Sequence, residues 1–335
     1  MPELSSSAPT PTPWPRIAAV VALLTAALCV LIIAFAWPAA RSEPRDVPLV
    51  VAGPEPAVAP MQARLEQADG DAFDVTRVAD RDAAVAAIED RDAYGAVVVD
   101  ANGTEVLTAS AASAVLAQGL EQLASSMGSE AAGPNAPQVT DVVPAPADDP
   151  RGAGLAAGAL PLVIGGIAGG AGLAVAVVGV WRRFAGAFAL GVIGGLAMAA
   201  IWQFWLGSLE GPYLGNAGVI GLALAASASA LIGLHALIGR PGIGLGAAVL
   251  VLLGNPLSGL TTAPEMLPTG WGELGQLLPV GAAGSLLRSV AFFDGADAAV
   301  PLTVLLCWVA AGLVLGALGA RRARRPEPVP VAALD

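Results

Sequence analysis

Six apolar stretches, each near the length needed to cross a bilayer, limit what this chain can fold into. About 30 Å of hydrocarbon takes roughly 20 apolar residues in a helix. The stretches fall at 17–38, 155–180, 185–206, 215–239, 242–261 and 301–320. Within lipid every backbone amide must be satisfied inside its own segment, so each stretch is expected to be helical. The fold class expected is mainly α, a polytopic six-helix transmembrane bundle. A small extracytoplasmic α/β domain is inserted between the first and second spans. The lipid bilayer is the first partner this implies.

Charge divides the chain. Only 13% of residues are charged, against about 25% in soluble domains. Every basic side chain is arginine, and residues 41–152 hold seven of them beside nineteen acidic residues. That stretch is the solvated part. Arginines cluster at span ends: Arg16, Arg182 and Arg183, Arg240, and Arg321, Arg322, Arg324 and Arg325. The positive-inside rule makes these ends cytoplasmic. Both termini then lie inside, in a multi-pass protein of the cell (plasma) membrane. Residues 41–152, the loop 207–214 and the segment 262–300 lie outside.

The expected map has a tail over 1–16, a first helix over 17–38 and an α/β domain over 41–129. A Pro/Ala/Asp linker follows over 130–152, then a five-span membrane domain over 153–320. Residues 321–335 form a basic, then Pro-rich tail. Ala34-Phe35-Ala36 imitates a signal cleavage site. The apolar run from Ile17 to Trp37 exceeds the 7–15 residues typical of a signal peptide, so an uncleaved anchor is expected.

In the outer domain, Val47–Ala52, Phe73–Val78 and Tyr94–Asp100 read as strands. Asn102-Gly103 is a hairpin signal leading into Thr104–Leu107. Helices are expected over 56–68, 82–90 and 111–127, the second with Ala83, Ala86, Ala87 and Asp90 on one stripe. Residues 130–150 carry five prolines and read as a linker.

The composition removes many function classes. Without lysine there can be no Walker lysine, and the one histidine is His235. No Asp or Glu lies mid-span, where ion-coupled transporters keep such groups. Asp148-Asp149 and Asp69/Asp71 lack EF-hand spacing. Nothing points to an enzyme, a cofactor, a bound metal or a nucleic-acid partner. Cys29 and Cys307 lie in spans and read as small buried hydrophobes. Gly165/Gly169, Gly166/Gly170, Gly191/Gly195 and Gly312/Gly316 have small-xxx-small spacing. Such faces pack helices closely, within one bundle or across a homodimer.

Gly254-Asn255-Pro256 interrupts the fifth stretch, where proline removes a helical hydrogen bond. The segment after it is amphipathic, with Trp271, Leu274, Leu277 and Leu278 at helical spacing. Asn255, Pro256, Pro264, Pro268 and Trp271 are therefore the candidates for a translocation path or gate.

Two runs extend this reading. One is Gly259-Leu260-Thr261-Thr262-Ala263-Pro264-Glu265-Met266-Leu267-Pro268, continuing to Leu277-Leu278-Pro279 and Leu286-Leu287-Arg288. The other is Asp82-Ala83-Ala84-Val85 through Tyr94-Gly95-Ala96-Val97-Val98-Val99. With the span layout over residues 17–320, they resemble the permease subunits of type-2 ABC exporters, in the phage infection protein-like branch. The resemblance implies export of an amphipathic or lipid-like substrate, energised by a separate ATPase subunit. It leaves only Trp181–Phe184 for the usual cytoplasmic coupling helix, so partner contact falls on Arg182 and Arg183. The alternative is a non-transporting membrane scaffold whose outer domain binds a cell-envelope partner.

Overall fold

The computed structural model describes residues 12–68, 72–100, 103–130 and 137–323. Asp69, Asp71, Asn102, Arg324, Arg325 and most of both expected tails lie outside the described residues.

Five helices are long and apolar enough to cross a membrane. They are α1 (Trp14–Ala40), α5 (Ala153–Ala176), α6 (Val180–Ala200, continued by a π turn to Trp205), α7 (Tyr213–Ile238) and α11 (Ala299–Ala323). In α7, 83% of the most apolar window is buried, against 33% in α5, 28% in α6 and 22% in α11. The bundle is thus α7 wrapped by the other three. Small residues permit this. A Cβ on Gly195 would sit 2.3 Å from the Ala217 carbonyl oxygen, and one on Gly312 2.4 Å from that of Ser229. The spaced glycines of α5, α6 and α11 pack within the chain.

The stretch expected as a fifth span is different. Helix α8 (Arg240–Ala248) runs into a π-helical turn, Val249–Gly254, and stops. Its fifteen residues span only about 20 Å, short of the roughly 30 Å of hydrocarbon. Hydropathy counted apolar residues through 261, but Asn255–Leu257 form a turn.

Helix α1 is also set apart: none of its most apolar window is buried. Its C-terminal end is anchored, with Pro38 buried and the Trp37 indole edge-on to Trp271 at 5.6 Å. Cys29 and Cys307 correct another expectation, since both are exposed. Hydropathy says that a helix lies in lipid, not which face looks at lipid.

The domain between α1 and α5 is built on a five-stranded sheet in the order β2-β1-β3-β4-β5. The strands are β1 (Val47–Ala52), β2 (Phe73–Val78), β3 (Gly95–Asp100), β4 (Gly103–Thr108) and β5 (Gln138–Asp141). β1 runs parallel to β2 and β3, β3 and β4 form the hairpin, and β5 joins β4 in parallel. Helices α2 (Glu55–Ala68), α3 (Arg81–Glu89) and α4 (Ala114–Glu130) complete the domain. Asp80 caps α3 by accepting from the Ala83 amide at 2.9 Å. The buried stripe of α3 is Ala84 and Ile88, not Ala83, Ala86, Ala87 and Asp90. An i, i+4 pair that includes the isoleucine buries more apolar area than alanines alone.

The expected linker holds β5. Thr140 Oγ1 donates to Glu105 at 2.7 Å, and Arg81 Nε donates to the same carboxylate at 2.8 Å. Asp149 then receives the Ala153 and Gly154 amides at 2.7 and 2.8 Å, capping α5. The end of the supposed linker therefore fixes where the membrane domain begins.

Strand β3 is buried on both faces. Val97 packs with Leu49, Val106 and Leu120, while Val98 packs with Val50, Ala84 and Ile88. Val98→Ala should cost about 2 kcal/mol through two lost methyls and the cavity left. Faster hydrogen exchange of the β3 amides in the full chain would register it; unchanged exchange would contradict two-sided burial.

Candidate functional site

The chain between Gly254 and α11 folds back on itself. A 3-10 turn (Pro264–Met266) is followed by α9 (Trp271–Gln276) and α10 (Pro279–Phe292). Gly275 lies where a Cβ would be 1.6 Å from the Leu257 carbonyl oxygen, so only glycine fits. The Gln276 amide donates to the Ser258 carbonyl at 2.9 Å and accepts from the Ser285 hydroxyl at 2.6 Å. Buried Arg288 donates to the Leu260 carbonyl at 2.7 Å. These bonds make residues 255–292 one packed body.

The segment is sunk beside the last span. Trp308 Nε1 donates to the Leu277 carbonyl at 2.8 Å. Trp308 is nine residues into α11 from Ala299, which at 1.5 Å per residue is about 13 Å along the axis from its N-terminal end. Trp271, Leu274 and Leu277 face outward, whereas Leu278 is buried.

The sheet domain is docked on this body. The turn between α3 and β3 supplies Arg91, whose guanidinium donates to the Ser285 carbonyl at 2.9 Å and to the Ser289 hydroxyl. It also lies 5.4 Å from the centre of the Phe293 ring, within cation–π range. Phe293 is 6% exposed and belongs to the apolar cluster of Val50, Ile88, Ala96 and Val98. An aromatic side chain just after α10 therefore completes the core of the sheet domain. Tyr94 donates to the Glu265 carboxylate at 2.8 Å. Burial, then the neighbouring carboxylate, push the phenol far above its usual range, so it stays protonated as a donor. The strand entering the domain is held too: the amides of Glu43 and Arg45 donate to the carbonyls of Met266 and Glu265, each at 3.1 Å.

Between the docked parts lies a cavity of about 600 Å³. Arg45, Asp46, Arg91 and Tyr94 contribute from the outer-domain side. Glu265, Glu273 and Gln276 contribute from the folded-back segment, Asp297 from the approach to α11 and Val300 from its first turn. Among the described residues four non-glycines have positive φ: Asp46 (50°), Arg91 (67°), Asp294 (50°) and Asp297 (52°). Three line the cavity. Aspartate adopts this conformation readily, so among the three only Arg91 marks a backbone held by its surroundings.

The residues singled out from sequence separate here. Pro264 and Pro268 line the cavity. Asn255 and Pro256 sit in the turn after the π segment, away from its wall, and Trp271 turns out to meet Trp37. Arg182 and Arg183 are in the first turns of α6, because the α5–α6 connection is only Val177–Gly179. Arg183 Nε donates to the Val177 carbonyl at 2.7 Å, while Arg182 is exposed. Arg91 and Phe293 were not singled out from sequence, and Tyr94 and Glu265 lie in the runs quoted above without a role being assigned to either. Arg91 and its Ser285 partner are 194 positions apart.

Compared with protein-family models, curated proteins and solved structures, the chain matches none.

Proposed function

We propose that this chain is the permease-like membrane subunit of an ABC-type export system for an amphipathic or lipid-like substrate, energised by a separate ATPase. One observation carries the reading. A ligand-sized cavity sits between the sheet domain and a folded-back segment packed beside the last span. Sites for small molecules are typically of about 300–1,000 Å³ and mix apolar walls with a few placed polar groups. Irregular backbone at membrane depth is tolerated where protein or a water-filled cavity covers it.

In this reading the short helix Arg240–Gly254, with the turn through Leu260, is the remaining crossing. The chain then has six crossings, both termini in the cytoplasm and the sheet domain outside. The end-of-span arginines support that orientation. The ATPase meets the inner end of α6, where Trp181 and Arg182 are exposed.

The test is purification of the tagged full-length chain from its own membranes in mild detergent. A nucleotide-binding subunit should co-purify, with vanadate-sensitive ATP hydrolysis. Arg182→Ala should reduce that association without lowering the amount of chain in the membrane. Recovery of an envelope protein held by the outer domain, with no ATPase, would favour the scaffold instead.

A further inference from the structure

We infer that the cavity under the outer domain receives the cationic headgroup of a single-chain amphiphile that enters sideways from the outer leaflet. Two of its apolar lining residues open it to lipid. Leu277 is 58% exposed and Val300 is 65% exposed, although both line the cavity. Leu277 lies beside Trp308, well below the outer end of α11. A side chain of that kind at that depth meets acyl chains, not water. The opposite wall is polar and belongs to the outer domain. The cavity thus has an apolar side mouth and a polar roof, which matches a molecule with a tail and a head.

Free charge selects the sign of the head. The lining holds two arginines, Arg45 and Arg91, against four carboxylates, Asp46, Glu265, Glu273 and Asp297, and the hydrogen bonds of Arg91 to neutral groups leave its charge in place. Arg45 is held by the Glu43 carboxylate and by the carbonyls of Arg41 and Met266. Arg91 is held by Ser285, Ser289 and the Phe293 ring. Glu265 accepts from Tyr94. Asp46, Glu273 and Asp297 have no ion pair or hydrogen-bonded side-chain partner among the described residues. The uncompensated charge around the cavity is therefore negative. Among the described residues no three acidic, histidine or cysteine groups converge closely enough to hold a metal ion. Carboxylates spread around a cavity of about 600 Å³ suit a diffuse organic cation better than a compact metal.

The inference rests on the export reading only for the fate of the bound molecule; the binding itself needs no ATPase. The full-length chain in phosphatidylcholine nanodiscs is titrated with radiolabelled dodecyltrimethylammonium, and binding to empty discs is subtracted. One saturable site is expected. Glu273→Gln with Asp297→Asn should weaken it about tenfold, as two solvent-accessible charge contacts would. Unchanged tryptic resistance at Arg91 would show that the double variant is still docked. Dodecyl sulfate and dodecanol should not compete at the concentration where the cation saturates. Equal competition by dodecyl sulfate, binding unaltered by the double variant, or no saturable binding would each overturn the inference. Saturable binding by a chain that co-purifies with no ATPase would leave this site standing and remove the export reading alone.

Discussion

A Gly195→Leu variant should not yield a monodisperse, folded protein, while Gly218→Leu in α7 should behave like the parent. At Gly195 a Cβ would come within 2.3 Å of the Ala217 carbonyl oxygen and 2.8 Å of the Gly221 amide nitrogen. Both are backbone atoms of the central helix, so no rotamer change relieves the clash. Separating α6 from α7 opens the contact around which the bundle is built. The expected cost is about 4 kcal/mol, above the roughly 1–3 kcal/mol of ordinary overpacking. At Gly218 nothing lies within 4 Å of the added Cβ. Size exclusion and thermal unfolding in detergent report the difference. If both variants elute and melt like the parent, the helices are not held at backbone distance.

Phe293→Ala should release the outer domain without unfolding it. The ring is 6% exposed in a core otherwise supplied by the sheet and α3. Buried phenylalanine to alanine typically costs about 3–5 kcal/mol. Because Phe293 comes from the membrane side, that loss falls on the dock. Val97, Leu49 and Leu120 on the other face of the sheet are untouched. Trypsin should then cut faster at Arg91 and Arg45, and amides of residues 90–94 and of α10 should exchange faster. The β3 amides should keep their protection. Arg91→Ala should go the same way by less, about 1–2 kcal/mol, for one charged hydrogen-bonding group and one cation–π contact, read by cleavage at Arg45 and by amide exchange because the Arg91 site is gone. Unchanged cleavage in the Phe293 variant would mean that the domain is tethered rather than docked.

What the sequence revealed and what it hid follow from the range of the forces involved. Strands β1 and β2 and the β3–β4 pairing were legible because alternation, β-branched content and Asn-Gly turn chemistry act over a few residues. β5 was not, since Gln138–Asp141 sits among Pro, Ala and Asp and becomes a strand only when β4 offers an edge. The buried stripe of α3 depends on which side of the sheet the helix occupies, which no local pattern states. Five apolar helices were plain from hydropathy. The short helix Arg240–Gly254 was not, because apolar content continues past the turn that ends it. Proline spacing drew attention to the folded-back segment, and Pro264 and Pro268 do line the cavity. The docking pairs joined across 171 and 194 positions, Tyr94–Glu265 and Arg91–Ser285, could not be read from sequence. Each is an ordinary residue until tertiary contact gives it a partner.

We propose that the docked sheet domain covers a cavity through which an ATP-driven exporter passes a cationic amphiphile. Inside-out vesicles from the native membrane test it most directly, because ATP can be supplied to the cytoplasmic face. Vesicles rich in the chain should accumulate dodecyltrimethylammonium when ATP is added and stop when vanadate is present. Those carrying Glu273→Gln with Asp297→Asn should accumulate markedly less at the same protein level. Equal accumulation with and without the chain, or with and without ATP, would contradict the account.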